Sequence, residues 1–172
     1  MTKKIVNGAS SIRWTPRVGL ALVLALSSIG ASAEKIDDKV QMVRERDKIM
    51  NAAIAEARRT LDDFLALSKK PPAGATHFKL KVQLSDENGV EHMWFVPFKE
   101  IEGGYAGVLA NEPYVVKSVT LGKVYAFKRE QISDWGYQQD GKQIGSFTVC
   151  ALFKTMPADD VARYKKDHGF VC

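Results

Sequence analysis

The spacing of apolar residues changes from a helical period to a period of two at Gly74, and this change constrains the fold more than any other feature. From Ile36 to Phe64 the apolar residues recur at alternating steps of four and three, which predicts a helix with one buried face. From Thr76 to Leu84 apolar and polar residues alternate, which predicts a half-buried strand. The chain is therefore expected to place helices first and strands after them.

The helical segment contains one internal boundary signal. Thr60 and Asp63 have the spacing of a capping box, so the segment is either one long helix or two helices that meet near Thr60. Pro71 and Pro72 end it in both cases. A coiled coil is the alternative interpretation, but the stripe is short and Asp47 interrupts it. We therefore expect the helical segment to pack on the sheet of its own domain.

Turn signals divide the remaining residues into strands and a closing helix. Asn88-Gly89 and Asp140-Gly141 are typical of tight hairpin turns, because both pairs tolerate positive φ. Pro157 and the acids after it suit the start of a short helix over 157–167. The predicted extended runs are 76–84, 90–98, 105–110, 114–119, 121–127 and 143–153.

The predicted fold class is therefore α+β. An N-terminal helix or helix pair is expected to pack on a curved, small barrel-like antiparallel sheet of five to six strands, and a short C-terminal helix follows. The sequence contains no repeats and no linker long enough to separate domains. Residues 34–172 are predicted to form one domain.

Residues 1–33 have the order of a secretory signal peptide: a basic opening, an apolar run from Val18 to Ile29, and the small residues Ala31-Ser32-Ala33. A membrane anchor is the alternative, but a dozen helical residues extend only about 18 Å against a hydrocarbon core of about 30 Å. No cysteine directly follows the apolar run to carry a lipid. We expect cleavage after Ala33 and a periplasmic or secreted product, without stable membrane insertion.

The positive net charge belongs to this leader. The whole chain has 25 Lys and Arg against 20 Asp and Glu, a formal charge of +5. Lys3, Lys4, Arg13 and Arg17 lie before the predicted cleavage site and no acid does, so the remaining chain has 21 minus 20, or +1. A nearly neutral chain lacks the large positive field that attracts phosphate backbones, and we expect no nucleic-acid partner.

The two cysteines agree with export. Cys150 lies in an apolar run predicted to be a strand, and Cys172 is the last residue. An even pair in an oxidising compartment favours a disulfide, which would stabilise the fold by about 3 kcal/mol in the chain-entropy model. A redox site would usually show a C-x-x-C pair, which the sequence lacks. We therefore predict a structural bridge between Cys150 and Cys172.

Several short motifs, in order along the chain, carry a resemblance to a known family. They are A-R-R-T-L-D-D-F (57–64), P-P-A-G (71–74), E-H-M-W (91–94), G-V-L-A-N-E-P (107–113) and I-S-D-W (132–135). With these motifs the chain resembles the YegJ-like family, domain of unknown function 2314, over roughly residues 51–153. The resemblance implies no established reaction, cofactor or catalytic residue. Many family members are small exported proteins, which agrees with the leader.

Metal and cofactor sites are not predicted. The histidines are isolated from one another and from the cysteines, whereas metal ligands usually recur at short spacings. They are His77, His92 and His168. If the residues beside it face the core, His92 shares the opposite face of its strand with Trp94. An exposed Trp beside a His would suit recognition, and packing against the N-terminal helix is the alternative.

Catalytic residues are not predicted either, because no nucleophile motif or phosphate-binding loop is present. The acids available for proton transfer are Glu112, Glu130 and Asp134. A cell-wall hydrolase would need two of them to face each other across a cleft. Acids in such loops commonly bond to nearby backbone amides instead, as Asn111 and Asp134 could do.

The preferred hypothesis is a small, exported, non-enzymatic binding protein. Polar residues beside aromatics at strand ends suit recognition. The predicted surface comprises Trp94, Asn111, Glu112, Asp134 and Trp135, with His92 beside it. Its partner is expected to be an envelope protein, as for an inhibitor or immunity protein, or a cell-wall component. The hydrolase described above is the alternative.

Overall fold

The structure, a computed structural model, describes residues 47–172. The predicted leader and the first part of the predicted helical stripe lie outside the described residues. Helix α1 is described over residues 47–59 and α2 runs from Leu61–Lys69. The strands and later helices are β1 Ala75–Asp86, β2 Gly89–Ile101, β3 Gly104–Leu109, β4 Val124–Phe127, β5 Ile132–Gln139, β6 Lys142–Gly145, α3 Phe147–Phe153 and α4 Ala158–His168.

The strands form one six-stranded antiparallel sheet in the order β4-β3-β2-β1-β5-β6. The two long strands β1 and β2 lie in the middle, and they form the hairpin that the period-two spacing and the Asn88-Gly89 turn predicted. Within the described residues β4 and β6 are the two edges, so the sheet does not close into a barrel. The predicted α+β class with an antiparallel sheet and a C-terminal helix is confirmed.

The helical segment consists of two helices that meet at Thr60, one of the two predicted arrangements. The predicted capping box is wrong, because the Thr60 side chain makes no cap bond to α2. Its Oγ1 instead donates to the Glu56 carbonyl oxygen at 2.9 Å, which satisfies the hydroxyl within the preceding turn.

An aromatic core fills the space between the helices and one face of the sheet. The Phe64 ring stacks on Trp135 with centroids 4.8 Å apart, and Phe78 stacks on Tyr137 at 5.0 Å. Each fully buried large apolar side chain contributes about 1.5–3 kcal/mol. The fully buried apolar side chains include Leu61, Phe64, Leu80, Val82, Met93, Phe95, Leu109, Val116 and Ile132.

The predicted strand over 143–153 is wrong beyond Gly145. Strand β6 ends at Gly145, where φ is 74°, and Ser146 follows with φ 56°. A Cβ at Gly145 would lie 2.5 Å from the Trp135 carbonyl oxygen, so only glycine fits at this sharp reversal. The chain then forms α3, and Cys150 is therefore helical.

The cysteine pairing does not depend on that strand. Cys150 and Cys172 are joined by a disulfide, with Cα atoms 5.5 Å apart. Helix α4 matches the predicted closing helix within one residue at each end. None of the helices within residues 47–172 combines the length and apolar character needed to cross a membrane.

Candidate functional site

The central strands carry a polar face opposite the aromatic core. Because side chains alternate along a strand, Leu80 and Val82 face the core while Lys79 and Lys81 point the other way. We define the polar face as Lys79, Lys81, His92, Trp94, Ser133 and Asp134, with Gln143 and Thr148 beside them.

Two lysine ammonium groups lie over the Trp94 ring on this face. The Nζ atoms of Lys79 and Lys81 are 4.6 Å and 5.3 Å from the ring centroid, within the range of cation–π attraction. Lys79 donates to Gln143 Oε1 at 3.1 Å and Lys81 to Thr148 Oγ1 at 3.0 Å. An ammonium has three N–H donors, so these bonds leave donors on each lysine for a ligand.

Burial lowers the pKa of both lysines, and the negative charge of Asp134 opposes that shift. The ammonium groups are partly removed from water and have lost hydration. A charged partner that restores this lost interaction would therefore bind favourably, and the partner of opposite sign is an anion.

Asp134 is a structural residue of the polar face. It is 0% exposed, and its Oδ1 accepts from the backbone N–H of Trp135 at 2.8 Å and of Phe147 at 3.2 Å. Oδ2 accepts from the N–H of Thr148 at 2.8 Å and from its hydroxyl at 2.6 Å. Burial raises the pKa of this carboxyl, while Thr148 holds it down. Asp134 therefore caps the start of α3 from a neighbouring strand.

A β-bulge brings Ser133 and Asp134 to this position. Lys81 pairs with Asp134 and Val82 with Ile132, so β5 contains one residue more than β1 at this point. The 0% exposed Ser133 hydroxyl lies 2.8 Å from His92 Nδ1 and 3.3 Å from the Lys81 carbonyl oxygen. The Ser133 hydroxyl is therefore covered, whereas the His92 ring is partly exposed.

The His92 imidazole stays neutral more readily than a free one. Burial lowers its pKa, and the positive charges of Lys81 and Arg58 add to the shift. The Arg58 guanidinium is fixed by bonds to the carbonyl oxygens of Ile132 and Glu130, each at 3.0 Å.

The predicted binding residues are only partly brought together. Trp94 is half-buried, and its backbone N–H donates to Asn111 Oδ1 at 2.7 Å. Exposed Glu112 follows Asn111 in the same loop. These residues and His92 remain candidates for a binding surface, whereas Asp134 and Trp135 do not reach it.

Trp135 and Asp134 are corrections to the predicted surface. Trp135 is 8% exposed, lies on the core side of the sheet, and donates from Nε1 to the Ala57 carbonyl oxygen at 2.9 Å. Asp134 is on the polar face but covered by α3. In the I-S-D-W motif, Asp134 therefore caps a helix and Trp135 packs in the core. The β-bulge and the alternation of side chains along the strand place these neighbouring residues on opposite sides of the sheet.

A long loop between β3 and β4 is held by two carboxylates that the sequence reasoning missed. Residues 110–123, which we call the anchored loop, contain no regular helix or strand. Glu91 accepts from the backbone N–H groups of Tyr114, Val115 and Val116 at 2.8–3.2 Å. Desolvation raises the Glu91 pKa, but these donors outweigh it and the pKa is lowered.

Asp86 does the same for the far half of the loop. Its Oδ2 accepts from the N–H groups of Lys117 at 2.6 Å and Ser118 at 2.9 Å, and Oδ1 accepts from Asn88 at 2.8 Å. Desolvation raises the Asp86 pKa, yet the donors lower it to about 2. The loop therefore has a fixed path and presents Tyr114, which is 85% exposed.

The lysines were also missed, although the sequence carried a signal for them. In F-K-L-K-V (78–82) the alternation that predicts β1 also places both lysines on the non-core face. Among residues 47–172 no group of three or more His, Cys, Asp or Glu side chains is arranged to hold a metal ion. The arrangement on the polar face is thus suited to binding through cations and one aromatic ring.

Comparisons with known proteins place the chain in a family. The profile of a bacterial family described as "Uncharacterized protein conserved in bacteria (DUF2314)" matches residues 47–171. This match extends past the 51–153 motif region and includes α3 and α4. No solved structure matches the chain significantly.

The chain is also similar to two individual proteins. The chain is 32% identical over 111 residues to uncharacterized protein YegJ of Escherichia coli K12, covering 64% of this chain and 71% of that one. It is 29% identical over 133 residues to a putative ankyrin repeat protein of Neisseria meningitidis serogroup B, covering 72% of this chain but only 52% of that one. On the family match and the YegJ similarity together, the chain belongs to the YegJ-like DUF2314 family.

Proposed function

We propose that this protein is an exported, non-enzymatic binding protein of the bacterial envelope, and that its recognition surface is the polar face around Trp94. The observation that carries this proposal is the pair of half-buried ammonium groups 4.6 Å and 5.3 Å from the Trp94 ring centroid. Export is supported by the leader pattern of residues 1–33 and by the Cys150–Cys172 disulfide.

The charge balance of the polar face favours an anionic partner group. Asp134 is the acid that acts electrostatically on both lysines, and its two oxygens already accept four hydrogen bonds. The lysines therefore retain donors that a carboxylate or phosphate oxygen could accept. The partner surface that fits is an acidic one, on an envelope protein or a cell-wall component.

The hydrolase alternative has no specific observation in its favour. Of its three candidate acids, Asp134 is covered and committed to capping α3. Glu112 and Glu130 are exposed, so neither carboxyl is sheltered from water in the way that a general acid usually is. The polar face therefore supports binding better than turnover.

Capture from envelope extracts tests the proposal. The purified chain should retain a partner, and Trp94→Ala should lose it because the ring that orders both ammonium groups is gone. Tyr114→Ala is the matched control, since it removes an exposed aromatic outside the polar face. Equal capture by the wild type and Trp94→Ala would contradict the proposal. So would a wild type that captures no partner, or one whose captured partner is not released by high salt.

A further inference from the structure

A cavity adjoins the outer end of the polar face. It has a volume of about 550 Å³ and lies between Lys79 and Gln143 of the sheet and Tyr164, Lys166 and His168 of α4. Lys79 belongs to both places, because its Nζ is 4.6 Å from the Trp94 ring centroid and 3.1 Å from Gln143 Oε1. The cavity is large enough for a small organic anion.

The charged groups around the cavity are mostly basic. Lys79, Lys166 and His168 line it, and Asp167 is the one acid among its lining residues. Gln143 fixes the position of Lys79: its Nε2 donates to the carbonyl oxygens of Tyr137 at 3.0 Å and Ile144 at 3.3 Å, which leaves Oε1 facing the ammonium. A preformed basic site of this kind costs little reorganisation on binding.

An unpartnered buried hydroxyl lies beside the same groups. Ser146 is 0% exposed, and within the described part of the chain its Oγ has no hydrogen-bond partner. A Cβ added at Gly136 would lie 2.8 Å from this oxygen, 2.9 Å from Gln143 Nε2 and 3.2 Å from Lys79 Cε. The hydroxyl thus adjoins the Lys79–Gln143 pair. A buried hydroxyl without a partner is unfavourable, but Ser146 does not itself line the cavity, whereas Lys79 and Gln143 do.

The C-terminal segment that helps to line the cavity pairs with Gln143 and ends at the disulfide. Gln143 N–H donates to the Gly169 carbonyl oxygen at 2.8 Å, and Val171 N–H donates to the Gln143 carbonyl oxygen at 3.4 Å. Phe170, between them, forms a parallel bridge with Gln143 and lines the cavity. The Cys150–Cys172 bond then ties the end of this short segment to α3.

We propose that this cavity binds a compact oxyanion, a carboxylate or a phosphate group, with Lys79 as its main cation, and that the disulfide maintains the cavity wall. The inference rests on the proposed function, because it names the chemical class of ligand that the polar face takes. The ammonium of Lys79 donates to the anion, and Lys166 supplies further positive charge from α4, where His168 also lines the cavity.

Isothermal titration of the purified full chain with inorganic phosphate and, separately, glutarate tests the ligand class. At least one should bind saturably at low salt, and the comparison of the two distinguishes phosphate from carboxylate ligands. Lys79→Met should weaken binding by about tenfold or more, because it removes a charged donor. Lys123→Met, an exposed lysine before the far edge strand β4, should leave binding unchanged. No saturable binding, or equal losses in both variants, would overturn the proposal.

Cys172→Ser tests the role of the disulfide in the same titration. We expect weaker binding with the circular dichroism spectrum unchanged, since only the last residues lose their tether. Unchanged affinity would overturn the claim about the wall. The envelope capture experiment separates the two proposals. If the chain binds the anion but captures no Trp94-dependent partner, the cavity proposal stands and the proposed function does not. If it captures the partner but binds no anion, only the proposed function stands.

Discussion

The two faces of strands β1, β2 and β5 are built from the same backbone and differ in what their side chains do. On the core face, Phe64 and Trp135 stack at 4.8 Å and are almost fully buried. On the polar face, Trp94 lies half-buried beneath two ammonium groups. The first arrangement gains free energy from burying apolar area, whereas the second partly desolvates charges. Stability alone explains the core face but not the polar face, and this is why we propose the polar face as the recognition surface.

The largest expected effect on stability is at the core face. Phe64→Ala should lower the free energy of unfolding by about 3–5 kcal/mol, because it leaves a cavity beneath four aromatic neighbours. Trp94→Ala on the polar face should cost less than half as much. Urea unfolding of both variants measures the difference, and equal losses would remove the distinction between the faces.

The next effect concerns Asp134, the polar-face residue that caps α3. Asp134→Ala should cost about 3 kcal/mol, because the backbone N–H groups of Phe147 and Thr148 lose their acceptor in a buried place. Asp134→Asn keeps one acceptor oxygen and should cost less. If the alanine variant unfolds at the same urea concentration as the wild type, Asp134 does not hold α3.

The contributions of two acids to stability should change with pH in opposite directions. Asp86 has its pKa lowered to about 2, so its contribution to stability is present above the unfolded value near 4 and is lost as pH falls from about 4 to about 2. Asp134 has a raised pKa, so its contribution is present below the unfolded value and is lost as pH rises through the folded one. The melting temperature against pH should therefore fall less steeply below pH 4 in Asp86→Asn. An unchanged acid limb would show that the anchored loop does not depend on this carboxylate.

The smallest expected effect is at a lysine. Lys79→Met should change the free energy of unfolding by about 1 kcal/mol or less, in either direction, because it exchanges a partly desolvated cation for an apolar chain of similar length. Chemical denaturation of Lys79→Met against Lys123→Met measures this. A loss as large as that of Asp134→Ala would make Lys79 a structural residue and weaken its assignment to ligand binding.

The sequence predicted what depends on local spacing. The helical and alternating periods, the Asn88-Gly89 hairpin and the closing helix over 157–167 all appear in the structure. The prediction of a strand over 143–153 is wrong beyond Gly145, because Gly145 and Ser146 have positive φ and turn the chain into α3. The contact with Trp135 that fixes this turn is not local in sequence.

The candidate site could be predicted only in part for the same reason. Trp94 and His92 follow from alternation, but the bulge at Ser133 changes which side of the sheet its neighbours face. The partners of Asp134 in α3 lie 13 and 14 residues away along the chain, beyond any spacing rule. The anchored loop likewise depends on acids 23–32 residues distant from the amides they bind.

The most direct measurement is the affinity of Trp94→Ala for a partner captured by the wild type, with the unfolding free energies of Phe64→Ala and Trp94→Ala measured alongside. We expect Trp94→Ala to bind at least about tenfold more weakly, a loss of about 1.4 kcal/mol, while it stays folded and far more stable than Phe64→Ala. Full affinity in Trp94→Ala, or a loss of affinity accompanied by unfolding equal to that of Phe64→Ala, would contradict the assignment of recognition to the polar face.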